Sequence, residues 1–257
     1  MRNIWAICKR ELLAFFVSPI AYFVITGFTF LVGYFFFFGY LPNFMRQIEM
    51  AAIISMRGGN MPNLNQDVIE GTYQTMVVIL VFLIPLLTMR TIAEEKRRGT
   101  FELLITSPVS VSQIVLGKFL SMAVVLTIML GVNFIYPGLL IAYGNPEVLP
   151  IISGFVGVLL CSFGFASIGM AVSSFTENQV VAGVASMVTL LLLYVIQAPA
   201  ESLGGSAAEV FRYLSPIDQL QDLLRGIVTI KTVAYFFSMI AIGIFLSQRS
   251  LEAYRWR

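Results

Sequence analysis

What most constrains this chain is a set of six apolar stretches, residues 20–41, 72–89, 114–143, 149–175, 179–199 and 232–248. Crossing a hydrocarbon core of roughly 30 Å takes a helix of about 20 apolar residues, so each stretch is a candidate span. None carries Asp, Glu, Lys or Arg apart from Lys118, which lies near the start of the third and counts with the connection before it. Composition agrees: 58% of the 257 residues are hydrophobic and 12% charged, where a soluble domain has about a quarter charged. Mean hydropathy is +0.87. The expected fold class is an all-α integral membrane protein of six transmembrane helices, with residues 1–257 forming one membrane domain.

Counting Lys and Arg on each side of this six-span plan orients it. Arg2, Lys9, Arg10, Arg90, Lys96, Arg97, Arg98, Lys118, Arg249, Arg255 and Arg257 fall on one side. Only Arg46, Arg57, Arg212, Arg225 and Lys231 fall on the other. Both termini and the connection between spans two and three are therefore expected in the cytoplasm. The net charge of +2 is too small to suggest a nucleic-acid partner.

Several connections have readable roles. Residues 1–19 place Arg2 and Lys9, and Asn3 and Arg10, seven apart among apolar residues, the pattern of a helix lying in the membrane interface and ended by Ser18-Pro19. Thr176, Glu177, Asn178 and Gln179 fit a capping box at a short inner turn, with Thr176 accepting a backbone N–H and Gln179 reaching back. Within residues 200–231, Ile217, Leu220, Leu224 and Ile227 follow Ser215-Pro216 at helical spacing, an amphipathic outer segment that either lines an exit path or floats in the headgroups. Met45, Met50, Met56 and Met61 recur at spacings that spread them around a helix, which reads as soft surface packing more than as a Cu(I) site.

Small residues stand four apart in span four, at Gly157 and Cys161, Ser162 and Ala166, Ser167 and Ala171, and Gly169 and Ser173. Such pairs let helices approach closely, within one bundle or against a second copy. Pro85 and Pro137 are expected to kink spans two and three.

The sequence also excludes functions. It contains no histidine, which rules out a Ser-His-Asp triad, a Cys-His pair and any His-ligated metal. Gly117-Lys118 is followed by Phe119 and preceded by Ser112 where a phosphate loop would start with glycine, so the nucleotide signature fails. Ion-driven carriers keep charges inside their spans despite a cost of ~2.5–3.5 kcal/mol on insertion scales. With no such charge here, energy for transport has to enter from outside the membrane region.

The charged run between spans two and three is the entry point this leaves. Glu94, Glu95, Lys96, Arg97, Arg98, Gly99, Thr100, Phe101, Glu102, Leu103 and Leu104 form a charged segment broken at Gly99, with an apolar knob at Phe101 and Leu104. Glu94 stands three and four residues before Arg97 and Arg98, a pairing worth only ~0.2–0.5 kcal/mol per pair. By its residues alone the run is either a docking element for a soluble partner or a solvated inner loop.

A resemblance bears on that choice. The stretch from Met89 to Val109, followed by Ile114-Val-Leu-Gly-Lys118, resembles the signature of permease subunits of type-2 ABC transporters. Lys9-Arg-Glu-Leu12, Ser18-Pro19, the residues from Ser173 to Gln179, Leu214-Ser-Pro216, Arg225-Gly226 and the tail from Ser250 to Trp256 extend it nearly end to end. The subgroup it most resembles includes the gliding-motility permeases and those serving nitrous-oxide-reductase maturation. Gln219 departs from that subgroup, where a histidine often follows the Leu-Ser-Pro element.

The resemblance implies a bacterial cytoplasmic-membrane permease with an elbow helix over residues 1–19 and a coupling segment over residues 90–109. It also implies a second permease copy or related permease, and ABC-type ATPase subunits that bind ATP and Mg, with no cofactor in this chain. Glu94 through Leu104 would seat in the ATPase, Thr176 through Gln179 would make a lesser contact, and export is the expected direction. Asn133, Tyr136, Tyr194 and Gln197 are candidate pathway-lining residues. The alternative class is a non-transporting membrane scaffold that recruits a cytosolic complex through the same run.

Overall fold

A computed structural model describes residues 2–51, 62–97, 99, 109–198 and 206–255. Among the described residues every regular element is helical. That follows from hydrocarbon as solvent, where each backbone N–H and C=O has to find its partner inside the segment.

The chain opens with α1 (Arg2–Val17), separated from α2 (Pro19–Tyr34) by Ser18, whose hydroxyl accepts from the Ile20 N–H while Pro19 takes the first helical position. A π-helical stretch, Phe35–Tyr40, carries α2 into α3 (Leu41–Glu49). Pro42 lacks the N–H that would bond the Phe38 carbonyl, and the wider turn accommodates that gap. A second π stretch, Asn65–Glu70, leads into α4 (Gly71–Thr88), followed by the short α5 (Ala93–Arg97). Next come α6 (Val111–Asn133) and α7 (Ile135–Tyr143), then α8 (Val148–Ser174) and α9 (Gln179–Val195). The chain ends with α10 (Ser206–Leu214), α11 (Pro216–Leu224) and α12 (Ile230–Arg255).

Among the described residues, five helical runs, two of them with a short interruption, are long and apolar enough to cross a membrane: Pro19–Glu49, Asn65–Arg97, Val111–Tyr143, Val148–Ser174 and Ile230–Tyr254. The remaining expected span is α9, an apolar helix of 17 residues. It stops at Val195, short of the boundary expected at Pro199. The two prolines act differently. Pro85 sits inside an unbroken α4, whereas the helix carrying Pro137 breaks between Asn133 and Ile135. Asn133 is four residues before Pro137, where the missing N–H and the ring leave a carbonyl unbonded.

Helix α8 is the hub. It packs on α4, α6, α9, α11 and α12, most extensively on α12. Its small residues explain how. A Cβ at Gly157 would meet Leu220 and Leu223 of α11, one at Gly164 would meet the Met239 sulfur of α12, and one at Gly169 would meet Thr88 of α4. Gly243 of α12 lies against the Ser167 backbone, and Ser186 of α9 donates to the Gly169 carbonyl at 3.3 Å. The small-residue face of span four is thus occupied by helices of the same chain.

One alternative left open by the sequence is set aside, and one expectation is corrected. The outer amphipathic segment does not float in the headgroups: Ile217, Leu220, Leu223 and Leu224 of α11 are buried, and Ser153 of α8 donates to the Leu223 carbonyl at 2.7 Å. Ile227 does not share that face, because α11 ends before Gly226, whose φ of 85° turns the chain away. The N-cap of α9 is Asn178, accepting from the N–H groups of Val180 and Val181. Thr176 instead accepts from the Asn178 N–H at 3.1 Å, so the capping box expected there does not form. A capping box does form at Ser110 and Gln113, starting α6.

The α8–α12 contact is open to test. A Cβ at Gly243 would lie 2.6 Å from the Ser167 carbonyl carbon, a backbone atom that cannot swing aside. Gly243→Leu is expected to lower stability by ~1–3 kcal/mol or more, whereas Gly27→Ala, with nothing within 4 Å, is expected to be neutral or stabilising. Thermal unfolding of the two variants in detergent checks both.

Candidate functional site: a charged junction of α1, α5, α6 and α8

The charged end of the bundle is assembled from segments far apart in sequence. Gly117 of α6 allows α1 to come close: a Cβ there would lie 2.9 Å from Ile7 and 3.0 Å from the Ile4 carbonyl oxygen. Asn3 donates to Gln113 at 3.3 Å along the same contact, and Cys8 is fully buried in it. Burial, then the nearby Glu11 carboxylate, push the Cys8 thiol above its ordinary pKa.

Lys118, the next residue after Gly117, is 1% exposed. Its Nζ lies 3.0 Å from Glu11 Oε1 and 2.9 Å from Glu95 Oε1. Arg10 closes the figure, with Nη2 at 2.6 Å from the same Glu11 oxygen and 2.9 Å from the same Glu95 oxygen. Two cations and two carboxylates alternate, and their charges cancel. A buried ammonium with one carboxylate removed would be strongly disfavoured, so Lys118 holds α1 and α5 to α6 together. Burial opposes ionisation of Glu11, but Lys118 and Arg10 outweigh it and hold its carboxyl below the usual carboxylate range. Burial likewise works against the Arg10 charge, and Glu11 and Glu95 more than compensate, raising its pKa.

The short helix α5 is fixed on its other side by the end of α8. Ile92 and Ala93 are fully buried, and the Ala93 N–H donates to Ser173 Oγ at 3.2 Å. Lys96 Nζ donates to the Ser174 carbonyl at 2.5 Å and lies 4.6 Å from the centre of the Tyr254 ring. Ser250 of α12 donates to the same carbonyl at 2.8 Å. An ammonium at the last carbonyls of α8 satisfies groups the helix leaves open and suits the sign of its dipole. Burial nonetheless lowers the Lys96 pKa, with Glu177 pulling the other way. Gly99, at φ 70°, accounts for the stop: its N–H bonds the Lys96 carbonyl at 3.2 Å, and the left-handed turn ends the helix.

Of the residues read as a docking element, Glu95 and Lys96 turn inward onto the protein and Arg97 is exposed. Arg98, Thr100, Phe101, Glu102, Leu103 and Leu104 lie outside the described residues. The inner turn with Thr176, Glu177, Asn178 and Gln179 follows directly on Ser173 and Ser174, so the two inner segments named from the sequence are neighbours, with α5 packed on α9. Sequence reasoning had Lys9-Arg-Glu-Leu12 and Gly117-Lys118 as family signatures and topogenic charge. It missed that Arg10 and Lys118 pair with Glu95 and link it to Glu11. A signal was present: Lys118 is a lone charge in an apolar stretch, which asks for a counter-charge.

The four residues read as pathway-lining separate into two pairs. Asn133 is fully buried and donates to Thr29 Oγ1 at 3.1 Å and to the Met129 carbonyl at 2.7 Å. Tyr136 donates to the Thr29 carbonyl at 2.8 Å, so this pair bonds the α6–α7 break to α2. Tyr194 and Gln197 instead line a cavity of about 100 Å³ with Gln74 of α4 and Gln221 of α11.

Comparison with known proteins places this architecture. A family model described as ABC-2 family transporter protein matches residues 5–246. The chain belongs to that family of membrane transporters. Comparison with curated proteins found no match.

The two cations of the junction differ in exposure and should differ in cost. Lys118→Met leaves the Glu11 and Glu95 carboxylates with the half-exposed Arg10 between them in place of the buried ammonium and is expected to destabilise by ~3–5 kcal/mol. Arg10→Ala, at a half-exposed side chain, is expected to cost under ~1 kcal/mol. Thermal unfolding of both variants measures the difference. Because the folded pKa of Glu11 is depressed, its contribution is full at neutral pH, declines below the ordinary carboxylate pKa of ~4.3 and is gone below the folded value. The separation of spin labels on α1 and α6 is expected to hold steady down to pH ~5 and to widen only below ~4.

Proposed function

We propose that the chain is the membrane-spanning permease subunit of an ABC-type exporter of the bacterial cytoplasmic membrane, driven by ATP hydrolysis in separate ATPase subunits. The observation that carries the reading is the charged junction. It ties α1, the α5 segment, the start of α6 and the end of α8 into one unit at one end of the bundle. A push on α5 by a soluble partner would reach three long helices through short, charge-assisted bonds.

In this reading α1 is the elbow helix. Trp5 and Leu13, 65% and 57% exposed, face the lipid interface, while its Arg10–Glu11 edge meets the junction. Residues 90–109 form the coupling segment, with Glu94, Arg97 and the residues beyond Gly99 meeting the ATPase and Thr176 through Gln179 a lesser contact. Helix α9 is the sixth span: its 17 residues cover about 26 Å at 1.5 Å per residue, enough with a slightly thinned bilayer. Both termini are cytoplasmic by the charge count, and the assembly holds two permeases and two ATPases. The gliding-motility and nitrous-oxide-reductase-maturation permeases are the subgroup whose motifs support this assignment.

Charge reversal separates contact from support. Arg97→Glu and Glu102→Lys are expected to reduce co-purification of the ABC-type ATPase from host membranes without lowering the permease's melting temperature. Glu95→Lys, which sets a third cation against Arg10 and Lys118, is expected to lower both. Unchanged ATPase recovery and unchanged ATP-dependent transport in all three would overturn the proposal.

A further inference from the structure

At the end of the bundle opposite the charged junction, α4, α9 and α11 leave the cavity of about 100 Å³ introduced above. Its polar wall consists of Gln74 from the first turn of α4, Tyr194 from the end of α9, Gln197 from the turn that follows it, and Gln221 from α11, over an apolar floor that includes Val77 and Leu220. A single water needs about 10–15 Å³ of such space, so the cavity holds a group of several heavy atoms. Gln74 is exposed and marks the open side.

Its chemistry is specific in one respect: three primary amides and a phenol converge, and none of the lining residues carries a charge. Each amide offers an acceptor oxygen beside a two-hydrogen donor. One Gln74 N–H is committed to Glu70 Oε1 at 3.2 Å, which orients that amide and leaves its oxygen and second N–H for an occupant. A carboxylate entering here would give up hydration with no cation on the wall and with the Glu70 carboxylate beside Gln74. A pair of adjacent hydroxyls, each both donor and acceptor, exchanges its water bonds for amide bonds without that loss. The Tyr194 ring and the apolar floor suit the carbon skeleton beneath such hydroxyls.

The walls are also held in place. Ser153 bonds the Leu223 carbonyl, and Gly154 and Gly157 bring α11 tight against α8, so Gln221 is presented from a docked helix. Gln74 and Tyr194 come from α4 and α9, which pack on each other and on α8.

We propose that this cavity is a binding subsite for an uncharged vicinal-diol group, the chemistry of a sugar ring. As a station on an export route it rests on the permease reading. As a binding site it does not.

The test uses the purified full chain in lipid nanodiscs without any ATPase, so its failure is separable from failure of the transport reading. Methyl α-glucoside and glucuronate are compared as probes by saturation-transfer NMR. The glucoside is expected to receive saturation and glucuronate not. Gln74→Leu and Gln221→Leu are each expected to weaken the glucoside signal about fivefold, the loss of one neutral hydrogen bond. Gln197→Leu, on a third element, is expected to do the same, and unchanged melting temperatures exclude misfolding. No saturation of the glucoside, equal saturation of glucuronate, or saturation indifferent to all three substitutions overturns the proposal. Preference for acetamide over the glucoside would overturn the assignment to hydroxyls.

Discussion

Most of this structure depends on the close approach of helices to α8. Between helices in lipid no hydrophobic effect drives association, so what holds them is dispersion and hydrogen bonding at short range, available only where side chains are small. Gly157, Gly164, Ser167 and Gly169 supply that surface on several sides of one helix. Helices α4, α9, α11 and α12 are each placed by it. Both ends of the bundle inherit their geometry from this hub. At one, Ser173 and Ser174 present a hydroxyl and a carbonyl to α5. At the other, Ser153 and Gly154 seat α11 beside the amide-lined cavity.

The junction solves a particular electrostatic problem. A lysine at 1% exposure within an apolar helix is tolerable only with carboxylates at contact distance. Here the two carboxylates arrive on separate segments, α1 and α5, so satisfying Lys118 joins them. Arg10 shares the same two oxygens from the solvent side. The charges of these four residues cancel one another.

Much of the fold was legible because hydropathy is a local property. Most of the apolar stretches match helices to within a few residues, while α12 runs on from the expected end at 248 to Arg255, and Ser18-Pro19, Gly99 and Ser215-Pro216 mark ends where backbone chemistry forces them. Cap assignment at Thr176 failed because two neighbouring side chains, Thr176 and Asn178, can each take a free N–H, and only the backbone path chooses. The amphipathic face of α11 was legible over its first turns, but what covers it was left open between an exit path and the headgroups, since periodicity reports that a face is apolar and not what covers it. In the candidate site, Glu95 was singled out for its charge, but its partners were not identified.

The sequence by itself determined the solvent, the helical class, the family and the residues at which charge gathers, because each follows from composition, spacing or motif along a short stretch. Tertiary structure alone decided which charges meet. Arg10 and Glu95 are 85 residues apart and Lys118 and Glu11 are 107 apart, and no local pattern encodes such a pairing. It decided equally that Asn133 and Tyr136 bond the α6–α7 break to α2, while Tyr194 and Gln197 face a cavity with Gln74 and Gln221. The physical reason is common to both: a polar side chain in an apolar helix has to be satisfied by whatever the packing brings within about 3 Å, and packing is a property of the whole bundle.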